Sequence, residues 1–198
     1  MSTVYYVSHP QVRVDPAVPV PRWSLSPLGR ERLAAVAGRP WVAALKAIIS
    51  SDEAKAVESA MMLAEASGAP VSVMEGLHEN DRSATGFLPP PEFEATADAF
   101  FARPTHSVRG WERAVDAQAR VLAAARRALE AAPAGDVALA GHGGVGTLLT
   151  CALSSLPIDR RFDQPPNGGG NVFAFDRSTL RVLHRWRPLE DARIGEPE

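Results

Sequence analysis

Two short apolar segments, far apart in the chain, each end in a small residue followed by a histidine. The letters TVYYVSH end at His9, and the letters DVALAGH end at His142. Short runs rich in β-branched, aromatic and aliphatic residues are typical of buried strands. In open α/β sheets, ligands bind just beyond the carboxyl ends of the strands. We therefore predict that both histidines lie at the functional edge of one sheet.

The rest of the chain alternates between predicted strands and predicted helices, which indicates a three-layer α/β/α sandwich with a mostly parallel sheet. The predicted strands are residues 3–7, 47–50, 71–74, 136–140, 171–176 and 180–186. The predicted helices are residues 26–38, 50–68, 92–102, 111–132 and 145–154. Residues 11–25 and 75–91 lack the periodicity of either element and are predicted to be loops. Ser50 and Glu53 have the spacing of a capping box at the start of the second helix.

The first helix has a clear start signal. Ser26 is a favourable N-cap, and Pro27 suits the first helical position. The apolar pattern that follows predicts that Leu28, Leu33 and Val36 face the core.

The composition limits the class of protein. With 198 residues, 45% of them hydrophobic and 22% charged, the chain is predicted to form a single domain over residues 1–198. A net charge of −2 favours neither nucleic acid nor a membrane surface as a partner, and no apolar run reaches the length of a membrane span. The single cysteine, Cys151, excludes a disulfide framework. Because residues 1–8 also lack a signal-peptide pattern, we expect a cytoplasmic protein.

Glycines surround the second strand-end histidine. Gly141, Gly143 and Gly144 allow a ligand to approach the backbone closely, and the next helix would present N–H groups to an anion. We interpret the remaining three histidines as structural. These are His78, His106 and His184. Since no two histidines have the helical spacing of metal ligands, we predict no zinc site.

Five motifs in a fixed order extend this pattern over nearly the whole chain. They are SHP at residues 8–10, LSPLGRER at 25–32, SSDEAKAVESA at 50–60, LHE at 77–79 and GHGG at 141–144. In their order and spacing, these motifs resemble those of the histidine phosphatase superfamily, also called the phosphoglycerate mutase-like family.

The resemblance implies a phosphoester hydrolase that acts on a small phosphorylated molecule or binds inorganic phosphate, without a metal or organic cofactor. His9 would attack phosphorus and form a phosphohistidine. Glu79, favoured over Glu75 because of its Leu-x-Glu context, would act as general acid and base. His142, Gly143 and nearby cations would hold the phosphoryl oxygens.

The resemblance also assigns residues 80–110 to a substrate-specificity insertion within the domain. Aromatic residues in this segment and directly after it are more often core residues at this spacing, although they could also form the wall of an apolar pocket. They are Phe87, Phe93, Phe100, Phe101 and Trp111.

Three residues depart from the family pattern around the nucleophile. Ser8 and Lys55 stand where the family has arginines, and Pro10 replaces a glycine. Arginine offers phosphate a planar pair of donors, which neither serine nor lysine reproduces. We therefore predict that another arginine enters the site. The candidates are Arg13, Arg22, Arg82 and Arg109, and Arg82 is preferred because it shares a loop with Glu79.

Other functions stay open at this point. The departures favour a catalytically impaired module that binds a phospholigand, and a phosphomutase would use the same phosphohistidine. Gly141, Gly143 and Gly146 match a dinucleotide-binding pattern, but a lone match is weak and comes late in the chain. A serine hydrolase is disfavoured because the chain lacks a Gly-x-Ser-x-Gly elbow. The apolar helices also allow a homodimer.

Overall fold

A six-stranded sheet forms the centre of the protein in a computed structural model that describes residues 2–197. Its strands are β1 (Thr3–Ser8), β2 (Leu45–Ser50), β3 (Val71–Val73), β4 (Asp136–Gly141), β5 (Asn171–Asp176) and β6 (Val182–Pro188). The strand order is β3-β2-β4-β1-β5-β6. β1 to β4 are mutually parallel, whereas β5 is antiparallel to both of its neighbours. The prediction of a mostly parallel sheet is therefore confirmed.

Helices cover both faces of this sheet. They are α1 (Pro27–Val36), α2 (Pro40–Ala43), α3 (Ala54–Ser67), α4 (Pro90–Ala102), α5 (Ala114–Ala131) and α6 (Gly143–Leu153). One apolar cluster joins the sheet to α1, α2 and α3, and a second joins it to α4, α5 and α6. Because side chains alternate along a strand, neighbouring residues such as Tyr5 and Tyr6 belong to opposite clusters. These two clusters confirm the three-layer α/β/α architecture.

Helix α1 begins as predicted, and two of its three predicted core residues are buried. Ser26 accepts a hydrogen bond from the Gly29 amide at 3.1 Å, as expected of an N-cap. Gly29, Leu33 and Val36 are buried, whereas Leu28 is 53% exposed. The prediction for Leu28 is therefore wrong, because the buried face of α1 starts one residue later.

The predicted capping box of the second helix is also wrong. Ser50 is the last residue of β2, and its hydroxyl donates to the Ser51 carbonyl at 2.7 Å. Ser51 Oγ instead accepts a hydrogen bond from the Glu53 amide at 3.2 Å, and Glu53 occupies the N-cap position of α3. The Glu53 carboxylate is thereby free to point into the protein.

The remaining differences concern element boundaries. Helix α2 was not predicted, and α5 begins three residues after Trp111, which is buried in a loop with its indole N–H bonded to Thr85 Oγ1 at 2.8 Å. Within residues 2–197, none of the helices combines the length and apolar character needed to cross a bilayer.

The ends of β1 and β4 are joined through Tyr6. Its hydroxyl accepts a hydrogen bond from the His142 amide at 3.1 Å and lies 3.2 Å from the His142 carbonyl, to which it donates. Gly141 and Gly146 pack directly against the Tyr6 ring, where an added Cβ would overlap its atoms. The glycine before His142 is thus required by packing as well as by the access it gives to a ligand.

We expect Gly141→Ala to lower the free energy of unfolding by about 1–3 kcal/mol, because the new methyl group must displace buried Tyr6. Urea unfolding measures the change. Gly38→Ala is the matched control, since an added Cβ there meets nothing within 4 Å. Equal stabilities of the two variants would contradict the packing argument.

Candidate active site

His9 and His142 lie side by side at the carboxyl ends of β1 and β4. The register pairs Ser8 with Gly141, and the His9 amide continues the ladder with a 3.0 Å hydrogen bond to the Gly141 carbonyl. The centroids of the two imidazole rings are 5.3 Å apart, and the rings cross at 70°. Parallel pairing of the two strands therefore brings together two residues that are 133 positions apart.

The surroundings of His9 determine which of its nitrogens carries the proton. Nδ1 lies 2.9 Å from the Pro10 carbonyl oxygen, which can only accept a hydrogen bond. The ring proton is therefore on Nδ1, and Nε2 keeps its lone pair. Burial, followed by the positive charge of Lys55, lowers the pKa of His9 to about 4. The ring is neutral at neutral pH.

His142 is more deeply enclosed than His9. It is fully buried, with Nε2 2.9 Å from Ser51 Oγ and 3.5 Å from Glu53 Oε1. Within the described residues, Nδ1 has no hydrogen-bond partner. Burial lowers the pKa of His142 to about 3, although the Glu53 carboxylate opposes this effect.

A buried ion pair between Glu53 and Lys55 lies beside the two histidines. Lys55 Nζ donates to Glu53 Oε2 and also to the Val20 carbonyl at 3.0 Å. Burial alone would raise the pKa of Glu53, but His142 and Lys55 together lower it to about 2. The sequence analysis missed this carboxylate, because a glutamate at the start of a helix is usually a solvent-exposed capping residue.

Glu79 lies at the amino terminus of α6. Its carboxylate accepts hydrogen bonds from the amides of Gly144 at 3.2 Å and Val145 at 3.0 Å, and from its own neighbour Asn80 at 3.1 Å. The Gly143 amide, the first of this helix, has no acceptor among residues 2–197. It remains available to an anion in the adjoining cavity.

Arg120 of α5 fixes the segment that carries Glu79. Its guanidinium donates to the carbonyls of Gly76 at 2.9 Å and His78 at 3.0 Å, and it pairs with Glu112 at 2.6 Å. The sequence analysis also missed this residue, since Arg120 lies in an amphipathic helix where an arginine is expected on the solvated face.

A cavity of about 630 Å³ opens in front of His9. Its polar wall contains His9, Lys55, Glu79, Asn80, Arg82, Gly143, Asp163 and Gln164. Its apolar wall includes Trp23, Phe87, Phe93, Phe100, Phe101 and Trp111. A neighbouring cavity of about 680 Å³ shares Glu79, Asn80, Arg82 and Phe87, and His78 lines it as well. The two cavities are thus lobes of one cleft.

Of the four candidate arginines, Arg82 lines the cleft. Its guanidinium carbon lies 5.2 Å from the centroid of the Phe93 ring and 5.6 Å from that of Trp111. No carboxylate of the described residues lies within ion-pair distance of it. Arg13 and Arg22 are exposed and outside both lobes, and Arg109 pairs with Glu92 at 3.2 Å.

Ser8 does not reach the cleft. It is completely buried, and its hydroxyl donates to Gln164 Oε1 at 2.6 Å and accepts from the Asn171 amide at 3.0 Å. Gln164, which the sequence analysis did not single out, forms part of the cavity wall instead.

Comparison with known families identifies this arrangement. The sequence model of the histidine phosphatase superfamily (branch 1) matches residues 17–187. The chain belongs to this superfamily. No curated protein matches the chain.

Solved structures support the same fold. A mycobacterial glucosyl-3-phosphoglycerate phosphatase in complex with inorganic phosphate is 24% identical with a TM-score of 0.74, over 98% of this chain and 100% of that chain. Bacillus stearothermophilus YhfR is 22% identical with a TM-score of 0.77, over 93% of this chain and 95% of that chain. An alpha-ribazole phosphatase from Shigella flexneri is 16% identical with a TM-score of 0.68, over 99% of this chain and 100% of that chain.

This member of the histidine phosphatase superfamily should lose stability as the pH falls below 6.5, because its folded structure holds His9 and His142 neutral. An unfolded histidine takes up a proton near its ordinary value of 6.5, whereas folded His9 and His142 do so only near 4 and 3. Between these values the unfolded state binds more protons, so the free energy of unfolding falls as the pH is lowered. Glu53, with a pKa lowered from 4.5 to about 2, adds to the loss only below 4.5.

We therefore expect His142→Asn to show a shallower loss of stability than the unsubstituted protein between pH 6.5 and about 4. Urea unfolding at a series of pH values measures the slope. His106→Asn is the control, because His106 is exposed. Identical slopes for all three proteins would show that His142 is not held neutral by burial.

Proposed function

We propose that this protein hydrolyses small phosphomonoesters through a phosphohistidine on His9. The observation that carries the proposal is the hydrogen bond between His9 Nδ1 and the Pro10 carbonyl, which leaves Nε2 of a neutral ring as the nucleophile at the cavity wall. The printed names of two proteins of similar fold, a glucosyl-3-phosphoglycerate phosphatase and an alpha-ribazole phosphatase, are consistent with this substrate class.

In the first step, the lone pair on His9 Nε2 attacks phosphorus, and the bond from phosphorus to the leaving oxygen breaks. Glu79 gives a proton to that oxygen, so the alcohol leaves in neutral form. The step therefore begins with Glu79 carrying this proton, which Glu79 recovers in the second step.

In the second step, Glu79 takes a proton from a water molecule, and the water oxygen attacks the phosphohistidine. The bond between phosphorus and His9 Nε2 breaks, which regenerates the neutral ring and releases phosphate. Arg120 supports both steps indirectly, because it holds the carbonyls on either side of Leu77 and so fixes the position of Glu79.

Several groups are suited to stabilise the phosphoryl oxygens. Lys55 and Arg82 supply positive charge at the cavity wall, and the unpaired Gly143 amide supplies a backbone donor. We assign His142 to the same task, since a buried nitrogen without a partner is costly unless a ligand completes it. Arg13 is exposed outside the cleft, and we leave it out of the proposed site.

Substrate selection is proposed to lie in residues 80–110. This segment contributes Arg82, Phe87 and Phe93 to the cavity opposite His9, and it includes α4. A cavity with one aromatic wall and one cationic wall suits a phosphomonoester that carries a compact organic group.

A second candidate function is a module that binds a phospholigand without turnover. One observation favours it: Glu53 pairs with Lys55 and offsets the positive charge that a phosphoryl group needs. Hydrolysis of an aryl phosphate that is lost in His9→Ala would reject this candidate. Phosphate binding without turnover would support it.

We expect Glu79→Gln to lower kcat/KM, which reports the first step alone, by about 100- to 10,000-fold with alkyl phosphates, because the substitution removes the proton donor of that step. The loss should be much smaller with 4-nitrophenyl phosphate, whose leaving group needs little protonation. Steady-state kinetics with both substrates measures the difference. His106→Gln is the control for a substitution far from the cleft. An equal loss with the two substrates would contradict the role of Glu79 as general acid.

We expect Arg82→Gln to lower kcat/KM by about 10- to 100-fold, because a charged hydrogen-bond donor to the phosphoryl group is lost. The matched control is Arg13→Gln, which removes an exposed arginine from outside the cleft and should leave kcat/KM unchanged. Assays on 4-nitrophenyl phosphate at low ionic strength measure both. If the two substitutions had the same effect, Arg82 would not be the arginine that serves the site.

A further inference from the structure

Gln164 lies in the wall of the cavity, next to the end of β1, and a buried serine binds its side-chain oxygen. We propose that the Gln164 amide replaces the guanidinium that Ser8 cannot provide, and donates a hydrogen bond to the phosphoryl group. The inference rests on the proposed function only in that the cavity must bind a phosphoryl group. Gln164 is then a residue that touches substrate, and Ser8 is a positioning residue.

The hydrogen bonds around Ser8 determine how the Gln164 amide is turned. Ser8 Oγ accepts from the Asn171 backbone amide at 3.0 Å, so its single hydrogen is free to donate elsewhere. It lies 2.6 Å from Gln164 Oε1 and 3.3 Å from the Asn171 carbonyl, and the shorter contact is the stronger bond. The side-chain amide of Asn171 donates to the same Oε1 at 3.0 Å. Two donors thus converge on the oxygen of Gln164.

This orientation leaves the Gln164 amide nitrogen for a ligand. Nε2 packs directly over Gly143, where an added Cβ would overlap it. Within residues 2–197, Nε2 has no acceptor, and the neighbouring Gly143 amide has none either. Two unpaired N–H donors therefore lie close together at the wall of the cavity that His9 lines. Clustered donors of this kind stabilise the charge of a transferring phosphoryl group.

The loop that carries Gln164 is itself anchored to α6. The Gln164 backbone amide donates to Asp163 Oδ1 at 2.7 Å, and Thr147 of α6 donates to the same oxygen at 2.8 Å. Because Gly143 begins the same helix, both donors are attached to one rigid element. The amide is held in place before substrate binds, which limits the entropy lost on binding.

The test replaces the donor while keeping the size of the side chain. In Gln164→Glu, one carboxylate oxygen still accepts from Ser8, but the amide nitrogen becomes an oxygen that repels phosphate. We expect the inhibition constant of orthovanadate and the dissociation constant of inorganic phosphate to rise by about 10- to 100-fold. Inhibition kinetics and isothermal titration calorimetry measure these constants.

Gln118→Glu is the matched control. Gln118 donates to the Leu148 carbonyl at 2.9 Å and lines neither lobe of the cleft. The same substitution there therefore measures only the effect of the change on stability. We expect it to lower the melting temperature without changing the affinity for phosphate. A loss of phosphate affinity in Gln118→Glu as large as in Gln164→Glu would overturn the proposal.

Ser8→Ala tests the positioning role separately. Removal of the hydroxyl takes away one of the two donors that hold the Gln164 oxygen and leaves only the Asn171 side-chain amide, so we expect phosphate affinity to fall by about 3- to 10-fold. In the Gln164→Glu background the same substitution should cause no further loss, because the donor that Ser8 positions is already absent. If Ser8 had only a structural role, Ser8→Ala would lower phosphate affinity equally in both backgrounds. That result would overturn the positioning role of Ser8.

The outcomes separate this inference from the proposed function. If the unsubstituted protein binds phosphate without turnover and Gln164→Glu abolishes binding, the inference stands and hydrolysis fails. If the protein hydrolyses phosphomonoesters and Gln164→Glu has normal phosphate affinity, hydrolysis stands and the inference fails. A protein that binds neither phosphate nor vanadate would overturn both.

Discussion

The parallel pairing of β1 with β4 is the constraint on which the rest of the site depends. Because Ser8 pairs with Gly141 and the next amide continues the ladder, His9 and His142 leave the sheet at the same level. A slip of one residue would turn one of the two histidines to the opposite face of the sheet. The register is stabilised by Tyr6, whose hydroxyl binds both backbone groups of His142. The packing of one buried tyrosine therefore helps to fix the position of His142 beside His9.

The net positive charge beside His9 and His142 is smaller than two arginines at positions 8 and 55 would supply. The only cation buried beside the histidines within the described residues, Lys55, is paired with Glu53. A buried pair of this kind gives little net field, since each charge cancels the attraction of the other for a third ion. Under the proposed function, recognition of a phosphoryl group would then fall to neutral donors, the amides of Gly143 and Gln164, and to Arg82 in the cavity wall. The neutral form of His9 fits this balance, because a second positive charge beside Lys55 would be costly.

Strand ends could be predicted from the sequence, because an apolar run marks a buried strand and the small residue after it marks the point where the chain leaves the core. The exposure of Leu28 could not, because the buried face of α1 includes Gly29, which has no side chain to reveal burial and instead packs against the Gln11 backbone. The place of Glu53 in the site was not predicted, because its spacing from Ser50 favours a capping role. Its contact with His142 exists only in the folded protein. Gln164 lies 156 residues from Ser8 in a proline-rich loop without a motif. The one usable signal was the missing arginine at Ser8, which required that some other donor be supplied.

Under the proposed function, the position of Arg82 would link affinity for phosphate to selection of the organic group. Its guanidinium is held by the faces of Phe93 and Trp111, and no described carboxylate competes for it. Contacts with aromatic rings restrain a cation less strictly than a bidentate ion pair does, so Arg82 can follow small movements of the loop that bears it. Trp111 also fixes that loop through its bond to Thr85. Because the same aromatic residues line the cavity for the organic group, a substrate that packs well against them also steadies the cation that binds its phosphate. In such an arrangement, binding of the organic group and binding of the phosphate strengthen each other. Inorganic phosphate alone makes only the second set of contacts.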